Sequence, residues 1–167
     1  MDSTPKKQRV YLETSVISVL TARPSRDTAQ IVRQAATEQW WREHRPQCDV
    51  LVSRVVDSEI AEGDADAKRR RQESVETLVR LPITDEANQL AARLLRAYAL
   101  PDIAEDDALH IALAAVHKID FLLTWNCGHI ANGMMTPKIL ATITEAKYEP
   151  PRIMAPAILL ESMGELP

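Results

Sequence analysis

Hydrophobic positions along this chain fall into two arrangements: short continuous apolar runs, and longer stretches with apolar residues every three or four positions. Residues 10–14 (VYLET), 49–52 (DVLV) and 121–124 (FLLT) belong to the first kind and predict short buried strands. Residues 81–83 read as a brief strand-like link and residues 152–154 as a final strand. The second kind predicts helices. One follows the first strand to Leu20, with Thr14 and Ser15 as caps. Another spans residues 27–45, with Ser25 as cap, Ile31, Val32, Ala35, Ala36 and Trp40 at helical spacing, and Pro46 as its stop. Ser53 caps a helix over 53–62, Gly63-Asp64 breaks it, and a further helix covers 65–79. Thr84 opens an amphipathic helix with Ala87, Leu90, Ala91, Leu94, Leu95 and Tyr98 on one stripe, closed by Pro101-Asp102. Residues 137–147 form a last good helix, and the tail from 156 a short one.

One stretch stands apart. From Ala108 to Val116 every position is apolar except His110, so as a helix it is buried nearly all round. Yet Glu105, Asp106 and Asp107 fill its first turn, where the partial positive charge of a helix N-terminus favours carboxylates. Such an element is either a well-capped core helix or one wall of an acidic site.

Strands alternating with helices predict an α/β fold: a parallel sheet with helices on both faces. There is no internal repeat, low-complexity tract or linker, so a single domain is expected. Hydrophobic residues make up 46% of the chain but only 4% are aromatic, so Leu, Ile, Val and Ala must build the core. A net charge of −4 rules out a global basic field for coating nucleic acid, while leaving room for a local site. Two isolated cysteines, Cys48 and Cys127, make no disulfide framework and suggest a reducing compartment. The polar, basic residues 1–9 carry no signal-peptide core, and no apolar run is long enough to span a membrane. A soluble, cytoplasmic protein is the expectation.

In open parallel sheets, sites gather at the carboxyl ends of the strands. Glu13 ends the first strand and Asn126 lies just past the third strong one. Glu59 and the Asp106/Asp107 pair sit on helices that can face the same end. Carboxylates and an amide converging there suit a hard divalent cation such as Mg²⁺ or Mn²⁺, which neutralises their repulsion and activates water towards a phosphodiester.

Each residue has a plainer reading beside this one. Glu13 could be an ordinary acid at a helix start and Glu59 a solvated one. Asp106 and Asp107 compete for capping and binding. Thr14 and Ser15 are turn residues whose hydroxyls could also orient a water or an acid. His110, on an apolar face, reads as a packed, hydrogen-bonded histidine rather than a base. Cys127 and His129 lack the further ligands a zinc site needs. Lys68, Arg69, Arg70 and Arg71 are the densest positive patch, a solvated face or a phosphate contact; Arg23 and Arg26 follow the Glu13 motif and could flank the acidic cleft. Trp40 reads as core, Trp41 as a partner contact, and Trp125 as a ring near the site.

Tyr11-Leu12-Glu13-Thr14-Ser15, Val52-Ser53 through Glu59-Ile60, Asp107-Ala108-Leu109-His110-Ile111-Ala112 and Leu122-Leu123-Thr124-Trp125-Asn126 occur in the order and spacing of a PIN domain. Over residues 10–154 the chain most resembles PIN proteins of the VapC toxin type, the ribonuclease partner in bacterial toxin–antitoxin pairs. The resemblance implies a three-layer α/β/α sandwich with a central mostly parallel sheet. It places a flexible leader at 1–9, one PIN-like domain at 10–155 and a tail at 156–167. It also implies Mg²⁺- or Mn²⁺-dependent endoribonuclease chemistry, a cognate antitoxin and a homodimer. Carried over by position, Glu13, Glu59 and Asp107 are the metal-binding acids and Asn126 stands at a fourth acid position. Asp106, Thr14 and Ser15 are outer contributors.

Two departures qualify that picture. Glu13 is one methylene longer than the family's usual aspartate, and Asn126 offers a carbonyl without charge. The alternative is therefore a weakly active or inactive PIN fold serving as an RNA-binding or protein-interaction module. A phosphatase or other small-molecule hydrolase lacks a nucleophile motif.

Overall fold

A computed structural model describes residues 6–98 and 105–164, the side chains of Tyr98 and Met163 excepted. The expected helix stop at Pro101-Asp102 and the first five residues of the leader lie outside the described residues, as does the Tyr98 side chain.

The apolar runs become strands β1 (Arg9–Leu12), β2 (Asp49–Ser53), β4 (Phe121–Leu123) and β5 (Arg152–Met154), and a fifth strand, β3, covers Val79–Leu81. They form one sheet in the order β3-β2-β1-β4-β5, and every pairing is parallel. Tyr11 of β1 pairs with Leu51 on one side and Leu122 on the other. Being central, β1 is the most enclosed strand: Val10, Tyr11 and Leu12 are fully buried.

Helices α1 (Thr14–Thr21), α2 (Thr28–Gln39), α3 (Arg54–Ile60), α4 (Ala65–Val75), α5 (Asp85–Tyr98), α6 (Glu105–Val116), α7 (Thr136–Glu145) and α8 (Pro156–Gly164) complete the chain. α5, α6 and α7 pack together, while α1 packs on α2, α3 and α4, and α8 lies against α2. These groups are the outer layers of the α/β/α sandwich. α6 is buried from Ala108 through Ala115 save for the half-buried Leu109, as its apolar run requires.

Several boundaries differ from the sequence reading. Glu13 itself is the N-cap of α1, its carboxylate accepting from Ser15 N, so the cap falls one residue before Thr14. Asp27, not Ser25, caps α2, and the Ser25 hydroxyl accepts from Asp27 N instead. The helix expected over 27–45 ends at Gln39 and continues as a π-helical turn (Trp40–His44) and a 3₁₀ turn (Arg45–Gln47) ahead of Cys48. Its apolar stripe divides: Trp40 is fully buried, whereas Ile31 and Val32 are 47% and 59% exposed. The helix expected over 65–79 stops at Val75, and the strand is 79–81 rather than 81–83. Ser53 and Thr84 cap as expected, accepting from Val56 N and Ala87 N.

Running outward from β1, the chain adds β2 and β3 on one side and then β4 and β5 on the other. The order therefore reverses between β1 and β4, and sheets of this kind carry their binding cleft at the carboxyl ends of the strands on either side of such a reversal. Glu13 and Thr124 are the residues that immediately follow these two strands.

Candidate active site

Glu13 stands at that reversal point and is only 5% exposed. A buried carboxylate needs donors, and the local sequence supplies them. Ser15 N (3.1 Å) and the Ser15 hydroxyl reach it from the first turn of α1, and the Thr124 hydroxyl reaches it across β4 at 2.7 Å. Thr14 and Ser15 thus orient acids, the more specific of the two readings open to them.

Glu59, near the end of α3, is brought beside it. Its Oε1 accepts from the Thr14 hydroxyl (2.9 Å) and from His110 Nε2 (2.6 Å). Burial pushes the Glu59 carboxyl up, but the hydrogen bond and charge of His110, with the Thr14 hydroxyl, outweigh it and hold the acid below its usual range. Glu13, Glu59 and His110 each place a potential ligand atom within 4.8 Å of the others.

His110 is fully buried with both ring nitrogens engaged. Its Nδ1 lies 2.7 Å from the Tyr11 hydroxyl, which lies 2.7 Å from the Ser53 hydroxyl. Burial drives the Tyr11 hydroxyl far above its ordinary range, against the pull of the Ser53 hydrogen bond, so it keeps its proton. An ionised Glu59 can only accept, so Nε2 donates to it. Nδ1 shares a hydrogen bond with the Tyr11 hydroxyl, and that hydroxyl shares another with Ser53 Oγ. A continuous hydrogen-bonded chain, Ser53–Tyr11–His110, thus ends on the Glu59 carboxylate.

Asp107 is held separately. Its Oδ1 faces Asn126 Nδ2 at 3.4 Å and its Oδ2 faces His129 Nδ1 at 3.0 Å. Asn126 Oδ1 accepts from His129 N (3.0 Å), which fixes the amide's orientation: the donor end must meet the carboxylate and the acceptor end the N–H. Asn126 N in turn donates to the Thr124 hydroxyl (2.9 Å), which donates to Glu13. The two acidic groups are therefore linked through Thr124 and Asn126. Asp106 is exposed beside Asp107.

The basic residues are arranged differently. Arg69 pairs with Asp66 and Glu73; Arg70 pairs with Asp66 and donates to Thr21 O; Arg71 donates to Ile60 O and Glu62 O. Arg23 pairs with Asp66, and Arg26 is exposed. Trp125 is held by Ser15 Oγ on its backbone N–H and by Thr37 Oγ1 on its indole N–H. Arg33 sits over the Trp125 ring, 5.4 Å from its centroid.

Sequence reasoning passed over His129 as half of an unsupported zinc pair. The signal that finds it is its place: three residues past Asn126, on the loop at the carboxyl end of β4, where site residues collect.

With this fold and site in view, a PIN domain family model matches residues 10–126, and the chain belongs to the PIN domain family. Its fold is similar to that of Mycobacterium tuberculosis VapC20, a Sarcin-Ricin loop cleaving toxin. The TM-score is 0.56 at 19% sequence identity, covering 74% of this chain and 95% of that one. No curated protein matches the chain.

Proposed function

We propose that this PIN-domain protein is a metal-dependent endoribonuclease, the toxin of a toxin–antitoxin pair acting as a cytoplasmic homodimer. The observation that carries the reading is the pair of carboxylates Glu13 and Glu59, with ligand atoms within 4.8 Å of each other, and Asp107 linked to Glu13 through Asn126 and Thr124. Membership of the PIN family and the likeness to VapC20 support it.

The donor set suits a hard divalent cation, Mg²⁺ or Mn²⁺. A carboxylate has about four acceptor positions. Glu13 receives three hydrogen bonds and Glu59 two, both on Oε1, so each retains capacity. Glu13, Glu59 and Asp107 would hold the cation. When bound, it offsets phosphate charge and makes a water acidic enough to attack phosphorus. Thr14, Ser15 and Thr124 orient the acids. The Asn126 amide steadies Asp107 rather than turning its oxygen to the cleft, and Asp106 adds negative potential at the rim. Arg23, Arg26 and Lys68 are the candidate RNA-backbone contacts; Arg69, Arg70 and Arg71 serve mainly the protein's own oxygens.

RNA cleavage with added Mn²⁺ tests the reading, comparing wild type with Asp107→Asn and Glu59→Gln. Cleavage should fall by at least about a hundredfold in each variant, as for loss of one charge-stabilising group. Equal cleavage by all three proteins would sink it. One observation favours a second reading, a PIN fold that binds RNA or protein without cutting: the fourth acid position carries an amide that donates to Asp107. A protein of that kind shows no Mn²⁺-dependent rise in melting temperature.

A further inference from the structure

We infer that His129 is a positioning residue for Asp107, fixing that carboxylate at the mouth of the cleft as His110 fixes Glu59 within it. The inference rests on the nuclease reading above for its consequence, but not for its geometry.

The loop after β4 is organised to present this ring. Asn126 O accepts the N–H groups of Ile130 (3.1 Å) and Ala131 (2.9 Å), and Ile130 is fully buried. Asn126 Oδ1 takes the His129 N–H. The backbone of His129 is therefore fixed by bonds on both sides, although its side chain is 42% exposed.

The ring meets a carboxylate that needs a second donor. The terminal torsion of an aspartate is soft and two-fold, so a donor on one oxygen leaves the carboxylate plane free to turn. Asn126 approaches Oδ1 at 3.4 Å, a long contact. His129 approaches Oδ2 at 3.0 Å, and the two together fix the plane. Because the ionised acid can only accept, Nδ1 carries the hydrogen. The neutral ring is thus held in the tautomer with a bare Nε2. Both acids that flank the cleft from helices, Glu59 and Asp107, are each held by a different histidine. His110 is fully enclosed, whereas His129 can be exchanged without opening the core.

The test has two arms on the full chain. In metal-free protein at a pH where the ring is neutral, two-bond proton–nitrogen spectra should show His129 as the Nδ1–H tautomer. Asp107→Ala should return it to the Nε2–H form that free histidine prefers. By calorimetric titration with Mn²⁺, His129→Ala should bind about tenfold more weakly than wild type, as for loss of an orienting partner. His129→Asn, whose amide can donate near the Nδ1 position, should recover most of that loss. The metal-free melting temperatures of both variants should stay close to wild type. An Nε2–H tautomer in wild type would overturn the pair. Wild-type affinity in His129→Ala, or no recovery in His129→Asn, would overturn its role. Should wild type bind no Mn²⁺, the nuclease reading fails, and the tautomer comparison alone decides whether His129 holds Asp107.

Discussion

Tyr11→Phe isolates one oxygen at the centre of the molecule. Phenylalanine preserves the ring and its packing on β1, so no cavity forms; only the hydroxyl between Ser53 and His110 is lost. All three residues are fully buried, so water cannot take its place. Ser53 keeps its bond from Val56 N, long at 3.5 Å, but His110 Nδ1 is left with no partner. An orphaned buried polar group costs about 1–3 kcal/mol, and with the partial loss at Ser53 the total comes to about 2–4 kcal/mol. In a chain of this size that lowers the melting temperature by roughly 5–12 °C. Urea unfolding in EDTA is the assay, and the slope with denaturant should not change, because the same surface is exposed. Ser53→Ala should cost less, and the double variant should cost less than the sum, since both act on one hydrogen-bonded chain. If Tyr11→Phe stays within about 0.5 kcal/mol of wild type, in the range of an ordinary surface change, the Tyr11 hydroxyl is not holding His110.

Other outcomes can be checked alongside. Glu59 has a folded pKa below its ordinary value of 4.5, so the native state binds its proton less readily than the unfolded chain. Its contribution to stability is present above that value and lost as pH falls through the lower, folded one. Denaturant midpoints measured below pH 4.5 should therefore drop less steeply for Glu59→Gln than for wild type. Arg71→Ala should lower stability by about 1–2 kcal/mol in urea unfolding, because carbonyls of Ile60 and Glu62 lose a charged donor. Weakened RNA binding with unchanged unfolding would instead make Arg71 a phosphate contact. Asn126→Asp should lower metal-free stability by about 1–3 kcal/mol, since a donor is lost and two carboxylates face each other. Added Mn²⁺ should recover more stability in that variant than in wild type, read from melting temperature.

The parallel α/β fold was legible because its strands are continuous apolar runs, which only burial on both faces explains. Where one face or one edge is open, the pattern misled. Val79 is 64% exposed on the edge strand β3, so its neighbourhood carries no alternation and read as a continuing helix. Ile31 and Val32 keep helical spacing, but periodicity cannot say whether anything covers a face. The site positions were legible: Glu13 and Asn126 follow β1 and β4, the two strands at which the order reverses. Their partners were not. His110 reads correctly as a packed histidine, yet its bond to Glu59 spans 51 residues and depends wholly on how α3 meets α6. His129 was hidden by a different cause: it stands two residues after Cys127, and that spacing reads first as a pair of soft-metal ligands.

Asparagine at position 126 has a physical logic that an acid there would not. Glu13 and Glu59 already stand side by side, and an acid at position 126 would face Asp107 directly. Like charges so close raise one another's pKa unless a cation lies between them. The amide removes that conflict in two ways. It carries no charge, and its two ends are chemically distinct, so Nδ2 can meet Asp107 while Oδ1 meets the His129 N–H. An aspartate accepts at both ends and could satisfy only the second. The exchange therefore gives up an anionic group and gains a fixed loop, and that loop brings His129 to Asp107. In this chain Asn126 and His129 form a single device: Asn126 sets the backbone of His129, whose ring, with the Asn126 amide, orients the acid at the head of α6.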